Sequence, residues 1–248
     1  MKKVFLFAAM LAMALVSCTD DNGTNNGSSN NDKDKDKPSD SFAGITIDGI
    51  FSDWEELKRS NTVFALNDSD SAWDAVEEIR VWADDNNIYY YVLFDRDVIA
   101  DYLAGKDTLP CRLNLNTDNE FESGYSNYFL QAYDFIIEGN LGDGLGDWGF
   151  FDGKLYQRIG SDWVMLMDEK NGLTIGAGGG VEYEIALDRE MFNEGAAKSS
   201  VPMPLQNVIQ TSMRFYETST TGKWVELSNM PNSSIDDGKY GDLLEVNI

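Results

Sequence analysis

Residues 76–95 constrain this chain more tightly than any other segment. Val76, Ile79 and Val81 lead into Trp82, the polar turn Asp84-Asp85-Asn86-Asn87 follows, and residues 88–94 are β-branched and aromatic. Apolar runs on either side of an Asp/Asn turn predict a β-hairpin of two central strands. Short runs of similar character recur at 45–47, 61–66, 113–116, 129–138, 154–157, 162–167, 181–187, 208–216, 224–227 and 243–246. Helical signals are few. Ser52 and Glu55 are spaced as a capping box for a short helix to Arg59, residues 97–103 have helical period with Gly105 as their stop, and Asp188 caps a helix through Phe192 that stops near Gly195. Many short strands with Gly/Asn/Asp turns between them predict an all-β fold, a two-sheet antiparallel sandwich with a few short helices. There is no fixed-period repeat.

The first forty residues have a different character. Residues 1–17 carry Lys2 and Lys3 ahead of an apolar core too short to span a bilayer comfortably. Leu15-Val16-Ser17-Cys18 resembles the lipobox of bacterial lipoproteins, which implies cleavage before Cys18 and acylation of that cysteine. Residues 18–41 then read as the acylated Cys and a disordered tether, polar throughout. As a flexible coil such a tether reaches on the order of 25 Å. Asp20-Asp21 resembles the surface-export signals of Bacteroidetes lipoproteins. The expected location is the bacterial cell envelope, lipid-anchored at the outer membrane, on its periplasmic or its surface face. Residues 42–248 are expected to form a single β-sandwich domain.

Charge and composition narrow the partners. Acids outnumber bases 43 to 19, a formal net charge of −24, which repels nucleic acid and anionic lipid headgroups. A neutral glycan or a cation suits such a surface better, and solubility alone also favours it. The chain has no histidine, which removes Ser-His-Asp and Cys-His catalysis and His-ligated zinc. With 43 acids, some pair falls near glycosidase spacing by chance, so carboxylate spacing carries no argument for catalysis, and a non-catalytic role is expected. Cys111 is single in the mature domain and reads as a small buried hydrophobe.

The stretch 113–141 carries the chemistry. A strand opens into the acidic loop Thr117-Asp118-Asn119-Glu120-Phe121-Glu122, and Asp134 then sits inside an apolar run. A buried carboxylate needs a partner. Asn116, Asp118, Glu120 and Glu122 recur every second residue, so an extended loop turns them to one side. With Asp134 they form a candidate Ca2+ site of mixed oxygen ligands. It is not an EF-hand loop, because Phe121 stands where glycine is required. A solvated acidic loop, or a salt bridge from Asp134 to Arg112, is the alternative. Residues 67–74 form a second, weaker acidic loop.

Several blocks together resemble family-9 carbohydrate-binding-module-like domains, which are related to DOMON-type sandwiches. They are Ile47-Asp48-Gly49 with Asp53-Trp54, the hairpin 76–94, Asn116-Thr117-Asp118-Asn119 with Gly124-Tyr125, Tyr133-Asp134-Phe135 with Glu138-Gly139, and the strand 181–187. The resemblance spans most of residues 43–248. Asn116 stands where that group usually has Asp, which lowers the charge of any cation site. The resemblance implies a jelly-roll-like sandwich, and glycan binding as in some relatives.

Sugar recognition needs flat apolar faces beside forked polar groups. The candidates are the aromatics in or beside loops, Trp73, Tyr125, Trp148 and Trp163. Trp54 reads as a core plug, and of Tyr89, Tyr90 and Tyr91 at least one faces outward. The expected function is a membrane-anchored, non-catalytic, carbohydrate-binding-like sandwich. The alternative is a structural or protein-interaction sandwich of an envelope complex without a sugar site. The anchor is tested by Cys18→Ala, which is expected to release the protein from the membrane fraction. Unchanged fractionation with no acyl mass on the wild-type chain contradicts it.

Overall fold

The computed structural model describes residues 42–67, 75–103, 108–120, 123–126, 132–142, 148–168, 172–231 and 243–248. In chain order the elements are α1 (Ser52–Leu57), a 3-10 turn (Arg59–Asn61), β1 (Val63–Leu66), β2 (Val76–Ala83), β3 (Asn87–Phe94), α2 (Arg96–Leu103), β4 (Pro110–Asn116), β5 (Tyr125–Ser126), β6 (Ala132–Tyr133) and β7 (Phe135–Gly142). They continue with β8 (Trp148–Ile159), β9 (Asp162–Met167), β10 (Thr174–Gly179), β11 (Glu182–Asp188), α3 (Arg189–Ala197), β12 (Val208–Thr218), β13 (Trp224–Met230) and β14 (Leu244–Asn247).

The expected hairpin forms. Asp84 Oδ1 accepts the backbone N–H of Asn86 and Asn87, at 2.8 and 2.7 Å, and closes the turn between β2 and β3. Asp188 caps α3 by accepting the Met191 N–H at 2.8 Å. That helix runs on past Gly195 to Ala197. Gly195 is there for packing, since a Cβ on it would run into Met167 and Leu155.

The fold is mostly β and antiparallel, as expected. The described strands hydrogen-bond as one twelve-stranded sheet in the order β1-β2-β3-β11-β10-β8-β7-β4-β12-β13, with β14 on β12 and β9 on β8. The sheet curls until β14 also lies against β1 and β2, nearly closing a barrel around the main core. The link between its halves is narrow, a register pair between Ala177 of β10 and Gly149 of β8. A Cβ on Gly149 would meet the Gly176 carbonyl oxygen at 2.6 Å, and one on Gly176 would meet the Phe150 nitrogen at 2.5 Å. Only glycines permit that approach. Strand β10, Thr-Ile-Gly-Ala-Gly-Gly, lacks the apolar alternation that marks a strand in sequence, which is why it and the link it makes were not expected.

Alternation sends Ile79, Val81, Leu113, Leu115, Met213 and Phe215 into the main core. Cys111 is buried among them and burial pushes its thiol pKa upward. A second, smaller core lies on the other face of β3 and β11. Ile45, Trp54 and Leu57 cover Tyr89, Tyr91 and Ala186 there, so none of Tyr89, Tyr90 and Tyr91 reaches solvent. Residues 45–47 make this layer without pairing as a strand, and the capping box does not form. Phe51 is at the N-cap without a side-chain bond, and Asp53 Oδ2 instead accepts the Thr46 N–H at 2.7 Å.

The second layer is tied down by Glu184, a wholly buried carboxylate on β11. Its Oε1 accepts the backbone N–H of Asp48 at 2.9 Å and of Gly49 at 2.7 Å, and its Oε2 accepts Trp54 Nε1 at 3.0 Å. Glu184→Gln keeps the shape and turns one of these acceptors into a donor facing a donor. It is expected to lower unfolding stability by about 1–3 kcal/mol, the scale of an unmet buried hydrogen bond, read as a lower urea midpoint at unchanged slope. An unchanged midpoint means that packing alone holds the layer.

Candidate functional site

The stretch 129–138 is not one continuous strand. Among its described residues, Asp134 breaks the run between β6 and β7 and turns its side chain back to the end of β4. Asp134 N–H donates to the Leu115 carbonyl at 2.8 Å, and the Asp134 carbonyl accepts Arg158 N–H from β8 at 2.7 Å. Its Oδ2 accepts the Thr117 N–H at 2.9 Å and Thr117 Oγ1 at 3.3 Å, and its Oδ1 accepts Ser123 Oγ at 3.4 Å. The residue is 1 % exposed. Burial raises its pKa and the Asp118 charge adds to that, against the hydrogen bonds from Thr117 and Ser123. Arg112, the expected salt-bridge alternative, pairs with Glu138 instead.

The loop is not extended. Asn119 has φ +57°, and the chain turns so that Glu120 offers its carbonyl oxygen, with its side chain exposed. Asn116 Nδ2 donates to that carbonyl at 3.3 Å. Asp118 Oδ1 accepts Glu120 N–H at 2.9 Å and Ser123 Oγ at 3.0 Å. Three of the five expected ligand side chains, Asn116, Asp118 and Asp134, thus share one loop–strand junction. Glu122 lies outside the described residues. Among the described residues no group of three or more His, Cys, Asp and Glu is placed to hold a metal.

The same turn places an aromatic cluster. Tyr125 of β5 pairs with Tyr133 of β6, ring centroids 5.5 Å apart. Trp163 of β9 lies 5.8 Å from Tyr125 and 6.2 Å from Tyr133, nearly parallel to the latter. The Arg158 guanidinium is over both Tyr125, at 5.4 Å, and Trp163, at 5.8 Å. Tyr125 and Trp163 are half-buried and Tyr133 is buried, so the cluster has an accessible side and a fixed back.

From Tyr133 a polar row crosses the sheet. Arg214 of β12 reaches the Tyr133 hydroxyl at 3.5 Å and Glu226 at 2.8 Å. Opposite it in register is Arg112 of β4, whose Nε donates to Glu138 Oε1 at 2.7 Å and whose guanidinium is over the rings of Tyr216 at 5.0 Å and Trp224 at 5.2 Å. Tyr216 and Trp224 are 5.3 Å apart and form a second aromatic station, with Trp224 exposed.

Two of the four expected sugar-binding aromatics, Tyr125 and Trp163, are therefore neighbours. Trp73 lies outside the described residues. Trp148 is described in its backbone alone, where it opens β8 opposite Gly142. Trp163 pairs with Arg158 near the other end of β8, about 30 Å away along the strand at ordinary strand rise. Sequence reasoning missed Tyr133, Arg158, Arg214, Glu226 and the Tyr216–Trp224 pair. The alternation of Arg112 with Cys111 and Leu113, and of Arg214 with Met213 and Phe215, marks the arginines as facing away from the core. Nothing local reveals that the two strands are in register. An open cleft of about 300 Å³ lies elsewhere, between β1, β2 and β14, with Asn61, Thr62, Trp82 and Asn247 on its walls. The Trp82 ring is stacked on Tyr89 and meets Phe42 edge-on.

No protein-family model matches this chain, and no curated protein matches it in sequence. Among the described residues no helix is long and apolar enough to cross a membrane.

Gly124 sets the path of the turn. Its φ is +70°, and a Cβ there would lie 2.5 Å from the Tyr133 carbonyl oxygen and 2.7 Å from Asp134 Oδ1. Gly160 also has positive φ, +60°, with open space around it. Gly124→Ala is expected to destabilise by more than about 1 kcal/mol and by more than Gly160→Ala, where only backbone strain applies. Equal losses in denaturant unfolding contradict the close approach.

Proposed function

We propose that this domain is a non-catalytic glycan-binding module, carried at the bacterial cell envelope by a lipid anchor on Cys18. The observation that carries the reading is the Tyr125–Tyr133–Trp163 cluster with Arg158 over it. Pyranose rings present flat C–H faces that pack on such rings, while hydroxyls accept hydrogen bonds from guanidinium groups and donate to carboxylates. The row of Arg214, Arg112, Glu138 and Glu226 leads from this cluster to the second station at Tyr216 and Trp224. A chain of sugars bound across the strands would meet both. Glu138 and Glu226 are each ion-paired with an arginine, which suits orientation of hydroxyls better than proton transfer. The formal charge of −24 points to a neutral glycan over an anionic one.

The test is a glycan array probed with the full chain, followed by titration of any hit. Trp163→Ala is expected to weaken binding by about 1–3 kcal/mol, the scale of a buried aromatic anchor, without loss of fold. Trp148→Ala, far along β8, is expected to leave affinity unchanged. An array without a hit at millimolar glycan favours the structural or protein-interaction module instead.

A further inference from the structure

We propose that the ligand of this face is a linear, uncharged oligosaccharide long enough to cross six strands, held along its interior with both chain ends free. The inference rests on the glycan reading of the aromatic cluster and adds the length of the chain and the part of it that is recognised.

The length follows from the sheet. Trp163 stands on β9 and Trp224 on β13, and β9, β8, β7, β4, β12 and β13 are successive neighbours. Five strand spacings come to about 24 Å, and a pyranose unit advances an extended chain by about one spacing, so about five rings reach from one tryptophan to the other. The side chains between them form an unbroken series. Trp163 lies 6.2 Å from the Tyr133 ring, and Arg214 Nη1 donates to the Tyr133 hydroxyl at 3.5 Å. Arg214 is opposite Arg112 in register, and the Arg112 guanidinium is 5.2 Å from the Trp224 ring.

The middle of this path suits hydroxyls and has balanced charge. Arg112 is paired with Glu138 and Arg214 with Glu226, two cations against two anions. The side chains of Arg112, Glu226 and Glu138 are 30, 28 and 23 % exposed, so a ligand laid over them can touch all three. Arg112 meets Glu138 through Nε and Nη2 and donates to the Tyr216 hydroxyl through Nη1. A guanidinium has five N–H donors, so among the described residues two are left for a ligand. The paired carboxylates keep lone pairs that accept from a sugar hydroxyl. An acidic sugar would set its own charge against Glu138, Glu226 and a chain of net charge −24; a neutral one does not.

Recognition of the interior follows from the edges. Among the described residues β9 hydrogen-bonds to β8 alone and β13 to β12 alone, so both stations stand on outer strands. Trp163 is half-buried at one side and Trp224 exposed at the other. Holding a chain end requires a wall across the path. A path from edge to edge lets the chain continue past both tryptophans.

The test titrates the full chain, in a detergent without a sugar headgroup, with neutral gluco-, xylo- and manno-oligosaccharides from disaccharide to octasaccharide, followed by calorimetry. In a series that binds, affinity is expected to rise at least tenfold from disaccharide to hexasaccharide and then to level off. Trp224→Ala, at an exposed position, is expected to bring the hexasaccharide down to the affinity of the disaccharide, with disaccharide binding and the far-UV spectrum unchanged. Borohydride reduction of the hexasaccharide's end ring is expected to leave its affinity as it was. Oligogalacturonates are expected to bind less tightly than the neutral series. A disaccharide bound as tightly as the hexasaccharide, or hexasaccharide affinity unmoved in folded Trp224→Ala, overturns the length. Affinity lost on reduction of the end ring overturns recognition of the interior, and tighter binding of oligogalacturonates overturns the choice of an uncharged chain. In each of these outcomes a sugar is bound and the glycan reading stands. Failure of every series overturns the glycan reading, and this inference with it.

Discussion

A carboxylate taken out of water must find donors, and this domain is arranged around that requirement. Glu184 takes three donors from residues 48–54 and so gathers a covering layer onto β3 and β11. Asp134 takes its donors from Thr117 and Ser123, and in doing so breaks a strand and bends the chain into a tight turn. Glu78, 2 % exposed, is matched by Arg59 and Arg80, which hold its pKa below the ordinary range despite burial. The apolar core supplies most of the driving force. These acids decide which loops lie on it and where.

The site follows from the second of these carboxylates. Because Asp134 faces the loop, Tyr133 and Phe135 separate, Phe135 entering the main core and Tyr133 joining Trp163 and Tyr125 on the other face. The curl of the sheet then matters. It places β9, β8, β7, β4, β12 and β13 side by side, so aromatics distant in sequence share one surface with a row of paired arginines and acids.

Much of this was legible in the residues, and the limits have physical causes. The 76–95 hairpin, the Asp188 cap, the buried Trp54 and Cys111, and most strands depend on local alternation and turn chemistry, which sequence displays directly. Strand β10 escaped because its glycines carry no pattern, and with it went the link that makes the strands one sheet. The capping box failed because Asp53 found Thr46 in three dimensions. At the site, the acidic loop and two of its aromatics were readable as residue types. The partners that matter, Tyr133, Arg158, Arg214 and the Tyr216–Trp224 pair, depend on register between strands up to a hundred residues apart, which no local pattern encodes.

The central claim is that the face around Trp163 meets the ligand. The six tryptophans give separate indole N–H signals in a nitrogen–proton spectrum, which can be followed while a mixture of neutral oligosaccharides is titrated in. The account predicts that the Trp163 signal moves most and saturates, with Trp224 next and buried Trp54 still. Movement confined to Trp82, beside the cleft between β1, β2 and β14, or a spectrum that does not change, contradicts it.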